Sequence, residues 1–311
     1  MACRKPKVVV IGAGAVGTTY MYALLQTGMA EEIALIDLDT NRVEGEIMDL
    51  SHGLPFLAPV RIKAGTYEDC ADASLIVITA GAKQAPGQSR ADLIRVNAGI
   101  VRAICTQIAQ QASDAVVLMV TNPVDTLTHV ALESLGWPRQ RVIGSGTVLD
   151  SARFKYMLSR HCGIDARNVH AYIIGEHGDS EVAAWSLSHI GGVAISDYCR
   201  ICGVCNSGQY HKQIAEQVRD SAYHIIDYKG STYYGIGLSL VRITGAVLRN
   251  ENSVLTVSSL LKGEYGIHDV CLSVPCVVGE HGVVRIIDAK LAPEEQESLQ
   301  RSAEAIAKNR P

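Results

Sequence analysis

Lys7 is followed by Val8-Val9-Val10-Ile11, an apolar, β-branched run that stops at Gly12. It is too short for a helix and shows no polar alternation, so it predicts a strand buried on both faces. Comparable runs lie at Ile33–Ile36, Leu75–Thr79 and Ala115–Val120, and Val60-Arg61-Ile62-Lys63-Ala64, which alternates apolar and charged residues, predicts a further strand. Between them the apolar positions take a helical period, amphipathic over Arg42–Leu50 and longer from about Ala91 to Gln111. Strands alternating with helices predict right-handed crossovers and a parallel sheet. Ligands of such sheets bind beyond the carboxyl ends of the strands, which singles out the loops at Gly12, Asp37, Gly81 and Asn122.

The pattern changes after Val142-Ile143-Gly144. A helix is predicted from about Asp150 to Cys162, then a strand over Val169–Ile174, a Gly-Glu-His-Gly loop and a cysteine-bearing stretch. Ile214, Val218, Ala222 and Ile225 share one face of a long helix that stops near Gly230. Strands over Cys271–Val278 and Val283–Ile287 are joined at Gly279-Glu280-His281-Gly282 as a hairpin, and an acid-led helix follows Pro293. No repeat or low-complexity linker interrupts the chain. Its 311 residues divide into two domains, 1–144 and 145–311, that pack as one body.

The first strand runs into Gly12-Ala13-Gly14-Ala15-Val16-Gly17. Gly12 permits the tight turn, Gly14 lets backbone approach a pyrophosphate, and Gly17 lets the helix pack close to the strand. The anion then sits at the positive end of the helix dipole. The next strand ends at Asp37, where an acid is suited to a ribose 2′-hydroxyl and repels a 2′-phosphate, so NAD is favoured over NADP. The fold class is therefore α/β: a Rossmann doubly wound parallel sheet, followed by an α+β substrate-binding domain with antiparallel strands.

A hydrophobic fraction of 48%, a charged fraction of 19% and a net charge of −4 exclude disorder and give no footprint for nucleic acid or an anionic membrane. No apolar stretch approaches the roughly 18 residues of a spanning helix. Arg4, Lys5 and Lys7 before an apolar run superficially resemble a signal peptide, but cleavage there would destroy the glycine turn, and the chain reads as cytoplasmic. The nine cysteines are scattered and odd in number, against a disulfide framework. Cys199, Cys202 and Cys205, with His211 nearby, have spacing that a metal site could use, but a paired fourth ligand is missing; reduced thiols are the expected state and no metal is assigned.

Gly-Glu-His-Gly occurs twice, ending at Gly178 and at Gly282. His281 is explained by its hairpin turn. His177 follows a buried strand and is the better candidate for chemistry, although a histidine in a glycine-rich loop is often no more than a turn residue.

The chain resembles the L-lactate dehydrogenases of the lactate/malate dehydrogenase family over essentially its whole length. The resemblance rests on the glycine turn, Gly81–Arg90, Thr121–Asp125, Leu149–Phe154, Gly175–Asp179 and Lys229–Thr232, in the family's order. It implies that His177 is the acid/base, an imidazole suiting that task with its unperturbed pKa of about 6.5. Asp150 would fix its tautomer and stabilise the imidazolium, a role compatible with capping a helix. Arg153, three residues on and on the same helix face, would grip the substrate carboxylate with two parallel hydrogen bonds. Arg90 would polarise the carbonyl when the loop before it closes, and Asn122 would donate to the same oxygen while lining the cofactor cleft. The cofactor would lie on Gly12, Gly14, Val16, Gly17, Asp37 and Asn122.

Gln84 and Thr232 would set substrate choice. A malate enzyme carries arginine at the place of Gln84, so the neutral glutamine favours pyruvate and lactate. The resemblance also implies a homo-oligomer, dimer or tetramer; the first strand starts almost at the amino terminus, so no arm is expected to tie a tetramer. Fructose 1,6-bisphosphate is a candidate effector: His170 matches the usual histidine, while Lys155 replaces the usual arginine and can still bind phosphate as a point charge. The alternatives are a malate or longer-chain 2-hydroxy acid dehydrogenase, a non-catalytic NADH-binding sensor, and a metal or redox protein built on the cysteines.

Overall fold

The structure, a computed structural model, describes residues 6–83, 89–203 and 209–311, with the side chains of Arg90 and Gln209 outside that description. The first half runs β1 (Lys7–Ile11), α1 (Ala15–Leu25), β2 (Glu32–Ile36), α2 (Thr40–Gly53), β3 (Arg61–Ala64), β4 (Leu75–Ile78), α3 (Arg90–Ala109), β5 (Val116–Met119), α4 (Val124–Leu135) and β6 (Val142–Gly144). The second half runs α5 (Val148–Cys162), β7 (Val169–His170), β8 (Ile173–Ile174), β9 (Val182–Ala183), β10 (His189–Ile190), β11 (Val193–Ala194), α6 (Ile195–Cys202), α7 (Gln209–Lys229) and α8 (Tyr234–Leu248). It closes with β12 (Ser253–Leu255), β13 (Ser258–Lys262), β14 (His268–Ser273), β15 (Cys276–Gly279), β16 (Gly282–Ile286) and α9 (Pro293–Lys308).

The central sheet has eight strands in the order β14-β13-β6-β5-β4-β1-β2-β3. From β6 to β3 all neighbours are parallel, while β13 and β14 are antiparallel. After β3 the chain crosses back to place β4 on the other side of β1, so strand order reverses between β1 and β4, and the crevice above their carboxyl ends is where this architecture binds ligands.

The inner parallel strands feed both faces. Val8, Val10, Ile33, Leu35, Leu75 and Val77 point into one core, and Val9, Ile11, Ala34, Ile36, Ile76 and Ile78 into the other. Two buried faces explain why these strands read as unbroken apolar runs. The first core is roofed by Tyr20, Met21 and Leu24 of α1 together with Leu240, Ile243 and Val247 of α8, and the second by α3 and α4. A third core joins Phe154 and Leu158 of α5 to Ile214 and Val218 of α7.

Two predicted strands are broken in the structure. Val169–Ile174 divides into β7 and β8, which pair in different sheets. Cys271–Val278 divides at Val274-Pro275 into β14, on the central sheet, and β15, in the hairpin with β16; proline has no N–H to continue a ladder. The central sheet also runs past Gly144, since β13 and β14 come from the second half.

Candidate active site

The turn from β1 into α1 is shaped by its glycines. Gly12 has φ +117°, and a Cβ there would stand 2.6 Å from the backbone nitrogen of Ala80. A Cβ on Gly17 would overlap the Gly12 carbonyl oxygen. Gly14 has nothing within 4 Å of a Cβ position, and it caps α1 without a side-chain hydrogen bond. A ligand can therefore approach the backbone at Gly14, beside the first N–H groups of α1 that lack intrahelical partners, the arrangement a pyrophosphate needs.

The space at Gly14 continues into a cavity of about 820 Å³ between Gly12, Gly14, Asp37, Arg42, Tyr67 and Ile100. Asp37 stands at its wall. The Ala13 N–H donates to Asp37 Oδ2 at 2.7 Å and the Asp39 N–H to Oδ1 at 3.1 Å. The carboxylate therefore braces the glycine turn as well as facing the cavity, and its remaining lone pairs can accept ribose hydroxyls. Val16 is half-buried against the first core, and Gly17 acts by packing.

A second cavity, about 430 Å³, is walled by Asn122, Asp150, Arg153, His177, Glu181 and Arg219, among others. Four residues that the sequence singles out meet here from β5's carboxyl end, α5 and the loop after β8. His177 Nδ1 lies 2.6 Å from Asp150 Oδ2. A carboxylate only accepts, so Nδ1 carries the hydrogen and Nε2 is left as the exchanging atom. Arg153 donates from Nη1 to the other oxygen of Asp150 at 2.7 Å, one helical turn along α5.

The Asp150 side chain is 2% exposed. Its burial opposes ionisation, but His177 and Arg153 outweigh that and hold it below the usual carboxylate range. The charge of Asp150 in turn raises His177 to about 9, against the opposing effect of burial. The pair is arranged to keep an imidazolium available at neutral pH.

Several supporting residues were not visible in the sequence. Asp125, fully enclosed, accepts the His177 backbone N–H at 2.8 Å, and burial pushes its carboxyl up to about 6. Asn97 accepts the Ala82 N–H at 2.8 Å and donates to the Asn122 carbonyl at 2.9 Å, clamping the loop after β4 to the end of β5. Tyr223 of α7 donates to Asp179 at 2.6 Å. Asp125 lies inside a quoted motif. Asn97, Glu181, Arg219 and Tyr223 carried no local signal.

Gln84 and the side chain of Arg90 lie outside the described residues, as does Cys205. Arg90 opens α3, whose N-cap Ser89 accepts the Asp92 N–H. Thr232 sits half-buried between α7 and α8 and is not in the wall of the second cavity. Lys155 Nζ stands 5.6 Å above the Tyr172 ring, and burial and the charge of Arg242 lower its pKa. His170 is exposed on β7, in register with His189 of β10. His281 lies in the tight β15–β16 hairpin, 80% exposed in its side chain. Among the described residues, no group of three His, Cys, Asp or Glu is arranged to hold a metal ion, and no helix is long and apolar enough to cross a membrane.

Strand order, glycine turn and the two cavities define an NAD-binding α/β protein whose second cavity carries a histidine–aspartate pair. Residues 6–144 match the family described as lactate/malate dehydrogenase, NAD binding domain, and residues 147–310 match lactate/malate dehydrogenase, alpha/beta C-terminal domain. The chain belongs to the lactate/malate dehydrogenase family. It is 55% identical to the L-lactate dehydrogenase of Treponema denticola, over 97% of this chain and 96% of that one. It is 50% identical to that of Acetivibrio thermocellus, over 96% of this chain and 95% of that one. The crystal structure of a lactate dehydrogenase from a Medee basin deep-sea metagenome superposes with a TM-score of 0.96 at 45% identity, covering 98% of both chains. The ligand-bound minor L-lactate dehydrogenase of Enterococcus mundtii gives 0.96 at 42% identity, again covering 98% of both.

Proposed function

We propose that this chain interconverts pyruvate and L-lactate with NADH and NAD as an L-lactate dehydrogenase. The observation that carries the reading is the Asp150-centred group, with His177 on one carboxylate oxygen and Arg153 on the other. The relatives' names and the neutral Gln84 support the choice of substrate. Bound NADH supplies the hydride.

In the reducing direction Arg153 takes the substrate carboxylate on the part of its fork that Asp150 leaves free. The His177 Nε2–H and the Asn122 amide donate to the carbonyl oxygen. As that oxygen gains charge, the Nε2 proton passes to it and yields the hydroxyl, leaving neutral imidazole on Asp150. Oxidation of lactate reverses each proton step, with His177 as base. Arg90 adds a cation at the same oxygen.

The finer assignments belong to the same proposal. Lys155 and His170 bind a phosphate of fructose 1,6-bisphosphate, the chain acts as a homo-oligomer, and it works in the cytoplasm. Initial rates of NADH oxidation with pyruvate, oxaloacetate and a branched 2-oxo acid, each with and without the bisphosphate, test the substrate and effector assignments. Pyruvate is expected to be preferred, and Gln84→Arg to move preference toward oxaloacetate by tenfold or more, roughly the worth of one new ion pair in a site. An oxaloacetate preference in the unmodified chain would refute the substrate assignment, and binding of NADH without turnover of any acid would favour a sensor.

A further inference from the structure

One carboxyl group in the second cavity is unused by the chemistry above. Glu181 Oε1 is closed off from solvent and, among the described residues, meets no hydrogen-bond donor, although Glu181 lines the cavity beside Asp150, Arg153, His177 and Arg219. The cations nearby are engaged elsewhere. Arg153 pairs with Asp150, and Arg219 pairs with its neighbour Asp220 at 3.6 Å.

The charged groups around Glu181 come from three elements: Asp150 and Arg153 of α5, His177 and Asp179 of its own loop, and Arg219 of α7. α9, which packs on β9, brings a hydroxyl to this loop, Ser302 lying 3.0 Å from Ser180. A desolvated carboxylate oxygen without a donor is costly, and the cost is removed when the group carries a proton.

We infer that Glu181 is a second proton-linked group of this cavity, held as the neutral acid when the carboxylate of a 2-oxo acid is seated on Arg153. The inference rests on the reading of Arg153 as the carboxylate anchor. The seated ligand brings a negative charge into a space that already holds Asp150, and it occupies the guanidinium that would otherwise offset a charge on Glu181. Even without ligand, burial and then the charge of Asp150 push Glu181 up to about 8, against His177, Arg153 and Arg219. Above that pH the free cavity carries Glu181 ionised, so seating a carboxylate requires uptake of a proton. Affinity then falls as pH rises, by up to about tenfold per pH unit from this group alone, separately from the proton on His177. Glu181 is a positioning residue in this account, acting on the charge of the cavity.

The test uses oxamate, a redox-inert analogue of pyruvate, titrated into the protein saturated with NADH and read by fluorescence at pH 7 and pH 9. The quantity compared is the ratio of the two Kd values in the native chain and in Glu181→Gln, whose amide imitates the neutral acid. The ratio is expected to be about tenfold smaller in Glu181→Gln. Equal ratios would overturn the inference, including the case where the variant only loosens the cavity and raises both Kd values together. If oxamate binds neither protein at either pH, the Arg153 reading fails, and this inference falls with it.

Discussion

Asp150 holds the acid/base group together because each of its oxygens has a different partner and its side chain is 2% exposed. Its charge is what raises His177 to about 9, so the sign of the pH dependence follows. His177 is charged below that value, and in the proposed mechanism pyruvate reduction draws a proton from it, so the rate is expected to fall as pH rises through about 9. Asp150→Asn removes the cause of the shift. The alkaline limb for pyruvate reduction is then expected to move to lower pH, with a rate loss of about a hundredfold or more, both read from pH profiles of kcat/KM; an unmoved limb would show that Asp150 does not set the His177 proton. The same shift has a consequence for folding. A group with a raised folded-state pKa stabilises below its unfolded value, and here that contribution is lost as pH rises toward 9. His177 was singled out by its loop after a buried strand, and Asp150 and Arg153 by the family resemblance alone; the structure brings the three together. Asn97 and Glu181 were not legible in the sequence, because their significance lies in neighbours from other elements.

The glycine turn joins an element's packing to its ligand. Gly17 lets α1 lie against β1 so that its free N–H groups reach the crevice, and a Cβ there would overlap the Gly12 carbonyl and stand 2.8 Å from Thr79 Oγ1. Gly17→Ala is therefore expected to cost about 1–3 kcal/mol of stability through overpacking and to weaken NADH binding at least tenfold, measured by thermal unfolding and fluorescence titration; an alanine variant with native stability and affinity would contradict the role of close packing. The inner parallel strands were legible because burial on both faces writes an unbroken apolar run, and β3 at the edge because Arg61 and Lys63 alternate with apolar residues. The later strands were not. Pro275 ends β14, yet the apolar run continues through it into β15, so periodicity alone joined two strands of different sheets. α8 was missed for a related reason: buried against α1 over much of its length, with Gly237, Ser239, Leu240, Ile243, Thr244 and Val247 all covered, it lacks the polar stripe that marks a surface helix.

The two halves of the chain are not independent bodies. α8 of the second half roofs the first-half core beside α1, where the Tyr20 and Thr244 hydroxyls lie 2.6 Å apart, and β13 and β14 extend the same sheet. The first cavity lies over the glycine turn and Asp37, and the second, which Asn122 at the end of β5 lines, lies between α5, α7 and the loop of His177. This shared core keeps Asp150 and His177 in register with the crevice above β1 and β4. If His177 moves the proton while other residues hold the cofactor, His177→Asn separates the two functions when NADH affinity and pyruvate turnover are assayed in the same preparation. Because Asp125 holds the backbone N–H of this residue, the loop is expected to keep its place. NADH affinity should stay within about threefold while turnover falls by about 10²–10⁴. Turnover near the native rate would contradict the account.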